Sequence, residues 1–145
     1  MAGRGHDTIE HTADMGIHGW APILEEALEE GARAMFELSF EGEGLTADRE
    51  IKVSVTGRDR PEIMIEFLNE LLSVSDREEL ALLDVNVTGL KEEPDGWSLE
   101  ATAGGVSRLL HPDRLLREIK GATWYGTSVK PDKKGGWSVR CVLDL

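Results

Sequence analysis

The sequence predicts an α+β fold: a mainly antiparallel sheet with two amphipathic helices packed on one face. Three observations carry this. Two segments repeat apolar residues every three or four positions, several others alternate them every two, and Pro-Asp-Gly-type stretches join neighbouring alternating segments. Helices separated by runs of strands argue for α+β rather than for an alternating parallel α/β arrangement.

The short segment Ile17-His18-Gly19-Trp20 reads as a strand. The first helix follows over residues 24–38, where Leu24, Ala27, Leu28, Gly31, Met35 and Leu38 recur at helical steps. Glu25, Glu26, Glu29, Glu30, Arg33 and Glu37 fall mostly on the other, polar side. Pro22 suits the first helical position, and Glu25 and Glu26 suit the positive end of the dipole. Ile51, Val53 and Val55 then alternate as a half-buried strand. A second helix starts at Pro61 and runs through Ile63, Met64, Phe67, Leu68, Leu71 and Leu72. Two more strands follow, through Leu83, Val85 and Val87 and through Trp97, Leu99, Ala101 and Ala103, joined as a hairpin by Pro94-Asp95-Gly96. Residues 104–113 read as an exposed loop. A final hairpin pairs residues 119–129 with 137–143 across the polar turn at 131–136. In its last strand Trp137, Val139, Cys141 and Leu143 share one face, so Asp144 points away from the apolar side.

A chain of 145 residues is long enough to bury one core, and no linker divides it, so 1–145 reads as a single domain. The 28 acidic and 16 basic residues leave a formal charge of -12. That charge repels phosphate backbones, argues against strong direct nucleic-acid binding and suits a basic partner surface. A single cysteine, Cys141, excludes an intrachain disulfide. No signal-peptide pattern stands at the start and no apolar run approaches the roughly 20 residues that span a bilayer. The expected location is the cytoplasm, away from membranes.

Standard enzyme signatures such as the Walker loop, GxGxxG, HExxH, CxxC and GxSxG are absent. The four histidines, His6, His11, His18 and His111, match no common zinc spacing. Carboxylates are the more suitable ligands. The sequence closes Leu143-Asp144-Leu145, which sets Asp144 beside an α-carboxylate, and Asp14 is placed to complete an oxygen-rich pocket. Such a set suits Ca²⁺ or Mg²⁺, hard cations that take oxygen ligands. The same residues equally fit a frayed end and a turn aspartate. Lys120, at the start of KGATWYG, is expected to lay its stem beside Trp124 on a largely apolar face, either snorkelling or functional. Cys141 fits an inert packing role. His11 with Asp14 has the form of a general base and its orienter, yet no nucleophile accompanies them.

Together the stretches HTADMGI (11–17), LEEALEEGARAMFEL (24–38), EFLNELL (66–72), IKGATWYG (119–126) and GGWSVRCVLDL (135–145) resemble the archease family, in order and spacing across nearly the whole chain. The resemblance implies a compact α+β domain containing a strand-helix-strand-strand unit, and a non-catalytic accessory protein. Archeases activate the GTP-dependent RNA-splicing ligase of the RtcB type, promoting its guanylylation and multiple turnover in tRNA splicing and broadening its nucleotide use. It also implies a bound divalent metal, typically assigned as calcium, with magnesium or manganese as alternatives. Carried over, the ligands are Asp14, Asp144 and the α-carboxylate of Leu145, and Lys120 joins Asp14 and Asp144 in activation. Two departures stand out. Tyr125 occupies the place of a histidine common in the family's lysine-bearing strand, and Ala21-Pro22-Ile23 replaces a helix start where threonine is common.

Two other functions compete with this one. A metal-dependent hydrolase built on His11, Asp14 and Asp144 would turn over substrate alone and respond to chelation. A small-ligand or chaperone-like module would bind on an open sheet face.

Overall fold

The computed structural model describes residues 3–10 and 14–145. These form strands β1 (Gly5–Glu10), β2 (Asp14–Ala21), β3 (Arg49–Gly57), β4 (Leu80–Glu93), β5 (Gly96–Ser107), β6 (Gly121–Pro131) and β7 (Trp137–Asp144), with helices α1 (Leu24–Ser39) and α2 (Arg60–Glu78). The α+β class stands, but the strands divide into two antiparallel sheets, ordered β1-β2-β7-β6 and β3-β5-β4. Within β3-α2-β4-β5, the second strand in sequence, β4, lies at an edge and the last, β5, in the middle. The series β2-α1-β6-β7 repeats that order, with β7 between β2 and β6. Two strand-helix-strand-strand units are therefore present, one inserted into the chain of the other between α1 and β6.

Helix ends follow local chemistry. Asp59 caps α2 by accepting from the Glu62 amide at 2.9 Å, and Pro61 sits in the first turn, where a missing N–H costs nothing. At α1 the cap is Ile23, extended and without a side-chain bond, so Pro22 lies one residue ahead of the cap rather than at the first helical position. β1 is a strand that the sequence reading lacked: its residues are half-buried or exposed, and Ile9 is its one large apolar side chain, so no alternation announces it.

Both helices pack against both sheets, and one apolar cluster joins them. It includes Ile17, Leu28 and Met35 on one side and Phe67, Leu68, Leu71 and Leu99 on the other. The closest approach is at Gly19, where a Cβ would stand 2.6 Å from the Gly31 amide nitrogen and 3.0 Å from the Ala27 carbonyl oxygen. Only a glycine lets β2 lie directly on the α1 backbone.

Bulges redistribute two of the expected faces. Register shifts in β4 fall between Leu82 and Asp84 and between Val87 and Gly89. Each extra residue reverses the inward parity. Leu82 and Val85 consequently enter the main cluster, while Leu83 turns to a small second one with Phe40, Ala81 and Val106. The exposed loop expected at 104–113 begins only at Arg108, because residues 104–107 continue β5 with Gly105 and Val106 buried.

The polar side of α1 is also not all solvent. Glu29 and Glu30 are each only 6% exposed. Glu29 accepts from the Val87 amide at 2.8 Å and from Arg4 at 2.9 Å. Glu30 accepts from Arg4, from His6 Nδ1 at 2.7 Å and from Arg33 at 3.2 Å. Arg33 in turn donates to the Val85 carbonyl at 3.0 Å. Burial opposes the charge on Glu30, but the hydrogen bonds from Arg4 and His6 outweigh it and hold the carboxyl below its ordinary range. Burial likewise opposes protonation of His6, and its bonds to Glu30 and Glu37 outweigh that and raise the imidazole.

These shifts set a pH window. The depressed Glu30 contributes stability that is present above its ordinary value of 4.5 and is lost as pH falls through its lower folded value. The raised His6 contributes stability that is present below its ordinary 6.5 and is lost as pH rises through its higher folded value. Urea midpoints measured across pH should peak between those two ordinary values as far as this cluster governs them. His6→Gln should flatten the alkaline limb and reduce the acid limb in part, since His6 is one of the donors that hold Glu30 down and Arg4 remains as the other.

Candidate functional site

The strand alternation that orients Asp144 outward holds in the structure, and the sheet register adds its partner. Asp14 on β2 lies directly opposite Asp144 on β7, and Gly121 on β6 faces Asp144 from the other side. Directly opposed residues in an antiparallel pair share a sheet face, with Cβ atoms roughly 5 Å apart. The neighbouring pair Met15 and Leu143 is buried, which leaves the two aspartates on the outer face at the end of the sheet. Asp14 is half-buried and Asp144 exposed.

The backbone of this end is secured from three directions. The Lys120 amide donates to the Asp144 carbonyl at 2.8 Å, extending the β6·β7 ladder by one bond. Leu145 packs partly buried against the main cluster, so the residue after Asp144 is tied down rather than frayed. Asn69 of α2 grips the free edge of β6, accepting from the Ala122 amide at 2.8 Å and donating to the Ala122 carbonyl at 3.4 Å. Asn69 is a contributor that sequence reasoning passed over, although a polar residue amid Phe67, Leu68, Leu71 and Leu72 was the signal for it.

Lys120 is exposed, just ahead of β6. The alternation from Ala122 to Trp124 fails because β6 bulges there. Register resumes only at Ser128 opposite Arg140, so residues 124–127 stand against the single residue Cys141. Gly126 makes the turn with φ 72°, and Trp124 and Tyr125 are left 56% and 79% exposed. Cys141 itself is buried, and burial pushes its thiol up, in keeping with a packing role.

His11 and Thr12 of the opening motif lie outside the described residues. Among the described residues, no group of three or more His, Cys, Asp and Glu side chains is placed to hold a metal. No ion pair among them involves Asp14, Asp144 or Lys120. What they do contain is a cross-strand pair of carboxylates with like charge and no described counter-ion. Such a pair is destabilising by itself, and its hard oxygens suit a divalent cation. The two carboxylates present have the donor chemistry which that class of ion takes. No helix among the described residues is long and apolar enough to cross a membrane.

The paired units and the acidic strand end define a small α+β protein with a carboxylate rim secured by a neighbouring helix. Comparison with known proteins is specific about its class. Residues 6–145 match the model of the Archease protein family (MTH1598/TM1083). The archease of Thermococcus kodakarensis is 33% identical, with 98% of this chain and 99% of that protein covered. The archease of Methanosarcina mazei is 27% identical over 99% of this chain and 97% of its own length. Among solved structures, protein 1598 of Methanobacterium thermoautotrophicum superposes with a TM-score of 0.81 at 30% identity, covering 97% of this chain and 99% of that one. A Thermotoga maritima archease, described as a possible chaperone, shares the fold with a TM-score of 0.58 at 19% identity, over 94% of each chain. The chain belongs to the archease family.

Asn69→Ala should destabilise the protein by about 1–2 kcal/mol, the value of two part-buried bonds to backbone. Hydrogen exchange of the Ala122 amide should accelerate beyond the global change. Asp14→Asn should raise the urea midpoint in chelator, by a few tenths to about 1 kcal/mol, since it removes the like-charge pair. A fall in stability on that substitution would show that the two carboxylates do not oppose each other.

Proposed function

We propose that this protein is an accessory factor for an RNA-splicing ligase of the RtcB type, which raises the ligase's guanylylation and turnover in tRNA splicing without catalysing the reaction itself. Membership of the archease family supports this reading, and so does the convergence of Asp14, Asp144 and Lys120 at one strand end. The single observation that carries the site assignment is the register opposing Asp14 to Asp144, two residues 130 positions apart in the chain. An enzyme that holds RNA needs a basic surface, and a chain of net charge -12 is suited to meet one.

Asp14, Asp144 and the α-carboxylate of Leu145 would hold a divalent cation, best suited to calcium. Bound there, the ion would neutralise the carboxylate rim and offer a positive centre to phosphate oxygens. The chain's own residues orient that end. The β2·β7 register sets the two aspartates side by side, and Asn69 fixes the start of β6. Lys120, whose amide bonds the Asp144 carbonyl and whose side chain is exposed, would offer its ammonium to a nucleotide phosphate or a carboxylate of the ligase.

Ligation assays with the cognate ligase test the proposal. The protein should do nothing alone and should convert single turnover of the ligase into multiple turnover in a GTP-dependent way. Asp14→Ala, Asp144→Ala and Lys120→Ala should each remove most of that effect while remaining folded by circular dichroism. Calcium should raise the thermal midpoint of the wild type and not that of Asp144→Ala. Intrinsic, chelator-sensitive hydrolysis by the protein alone would instead favour the hydrolase reading.

A further inference from the structure

The bulge in β6 is costly unless it is used. It occupies an edge strand, where a bulge is a common device against edge-to-edge pairing. Protection alone calls for charged or small residues, whereas this bulge displays a tryptophan and a tyrosine, 56% and 79% exposed. It is also held in shape. Thr127 donates its hydroxyl to the Thr123 carbonyl at 2.7 Å, Thr123 donates to the Val142 carbonyl at 3.0 Å, and Gly126 turns at φ 72° with Val142 beneath it. Two rigid amphipathic side chains on a fixed backbone have little conformational freedom left to lose on binding, which is the chemistry of an interface anchor.

Position then argues for the occupant. Trp124 is three residues beyond Gly121, which is in register with Asp144, so the aromatics begin about 10 Å along the strand from the carboxylate rim. The residues between them, Gly121 to Thr123, are half-buried along β6, and the chain that bears them is strongly acidic. Charge of this sign disfavours a polyanion and favours a basic protein surface.

We infer that Trp124 and Tyr125 form the anchoring contact of this protein with its partner, inserting into an apolar recess on a basic protein surface while the neighbouring carboxylate rim sets the register. The inference rests on the proposed ligase partnership and deepens it: the rim and Lys120 serve activation, and the aromatic bulge serves affinity. Tyr125 stands in the bulge, outside the lysine-carboxylate group, so its role is contact.

The experiment compares wild type, Trp124→Ala/Tyr125→Ala and Trp124→Phe/Tyr125→Phe, using direct binding to the ligase by calorimetry alongside turnover titrations. Because both residues are exposed, the variants should melt within a few degrees of wild type. The alanine pair should weaken binding by about 30-fold, as expected for a central aromatic anchor. The concentration giving half-maximal activation should shift equally, with the maximum at saturation unchanged. The phenylalanine pair should recover most of the affinity. Unchanged binding by the alanine pair, beside a wild type that activates, would overturn the anchor and leave the ligase reading intact. A wild type that binds but fails to raise turnover would remove the activation reading and leave the anchor standing. Quenching of Trp124 fluorescence by a single-stranded RNA oligonucleotide alone, at physiological salt and absent in the alanine pair, would assign the bulge to base stacking and overturn the protein-contact assignment.

Discussion

In each strand-helix-strand-strand unit one edge strand is gripped by the helix of the other unit. In the inserted unit that edge is β4, where the Val85 carbonyl and the Val87 amide are taken by Arg33 and Glu29 of α1. In the outer unit it is β6, where both backbone groups of Ala122 are taken by Asn69 of α2. An unpaired strand edge is a template for aggregation, and its polar groups are expensive to bury unsatisfied. The exchange removes both problems and forces each helix to lie against a strand of each sheet. It therefore explains why one apolar cluster serves both units and why Glu29 is buried on the nominally polar side of α1, where Glu30 is held by Arg4 and His6.

This exchange also links the core to the rim of carboxylates. Asn69 secures β6 at Ala122, next to the residues in register with Leu143 and Asp144. The Lys120 amide continues that ladder. A part-buried asparagine on a helix thus helps hold the backbone from which the exposed lysine and aspartate project. Under the proposed reading the function-bearing groups sit on a strand end that is itself over-determined by the fold, which is the arrangement expected where geometry matters more than mobility. The bulge a few residues on departs from regular pairing, and it is there that large aromatics are surrendered to solvent.

The paired aspartates are a local violation of the same stabilising logic. Cross-strand like charges oppose folding, and the outer sheet face provides no described cation to relieve them. Under the proposed reading the relief comes from a divalent ion, and the protein tolerates a modest cost in its absence. Regions that break local rules without evident structural return are where function is to be sought.

Periodicity was enough to place both helices, the β4-β5 hairpin and the β6-β7 hairpin, because apolar spacing and turn chemistry act over a few residues and need no partner. Motif order was enough to point to the family and to Asp14, Asp144 and Lys120. The edge strand β1 escaped notice because it buries almost nothing, and Leu83 was assigned to the wrong face because a bulge reverses parity without any residue that marks it. The burial of Glu29 and Glu30, the role of Asn69 and the exposure of Trp124 depend on what lies opposite them, which local pattern does not contain. By itself, the sequence determined both helices and most of the strands, the acidic character, and Asp14 and Asp144 as candidate ligands. Only the tertiary structure decided that those elements form two nested units with exchanged helices and that Asp14 faces Asp144, because strand register and edge closure are contacts between residues far apart in the chain.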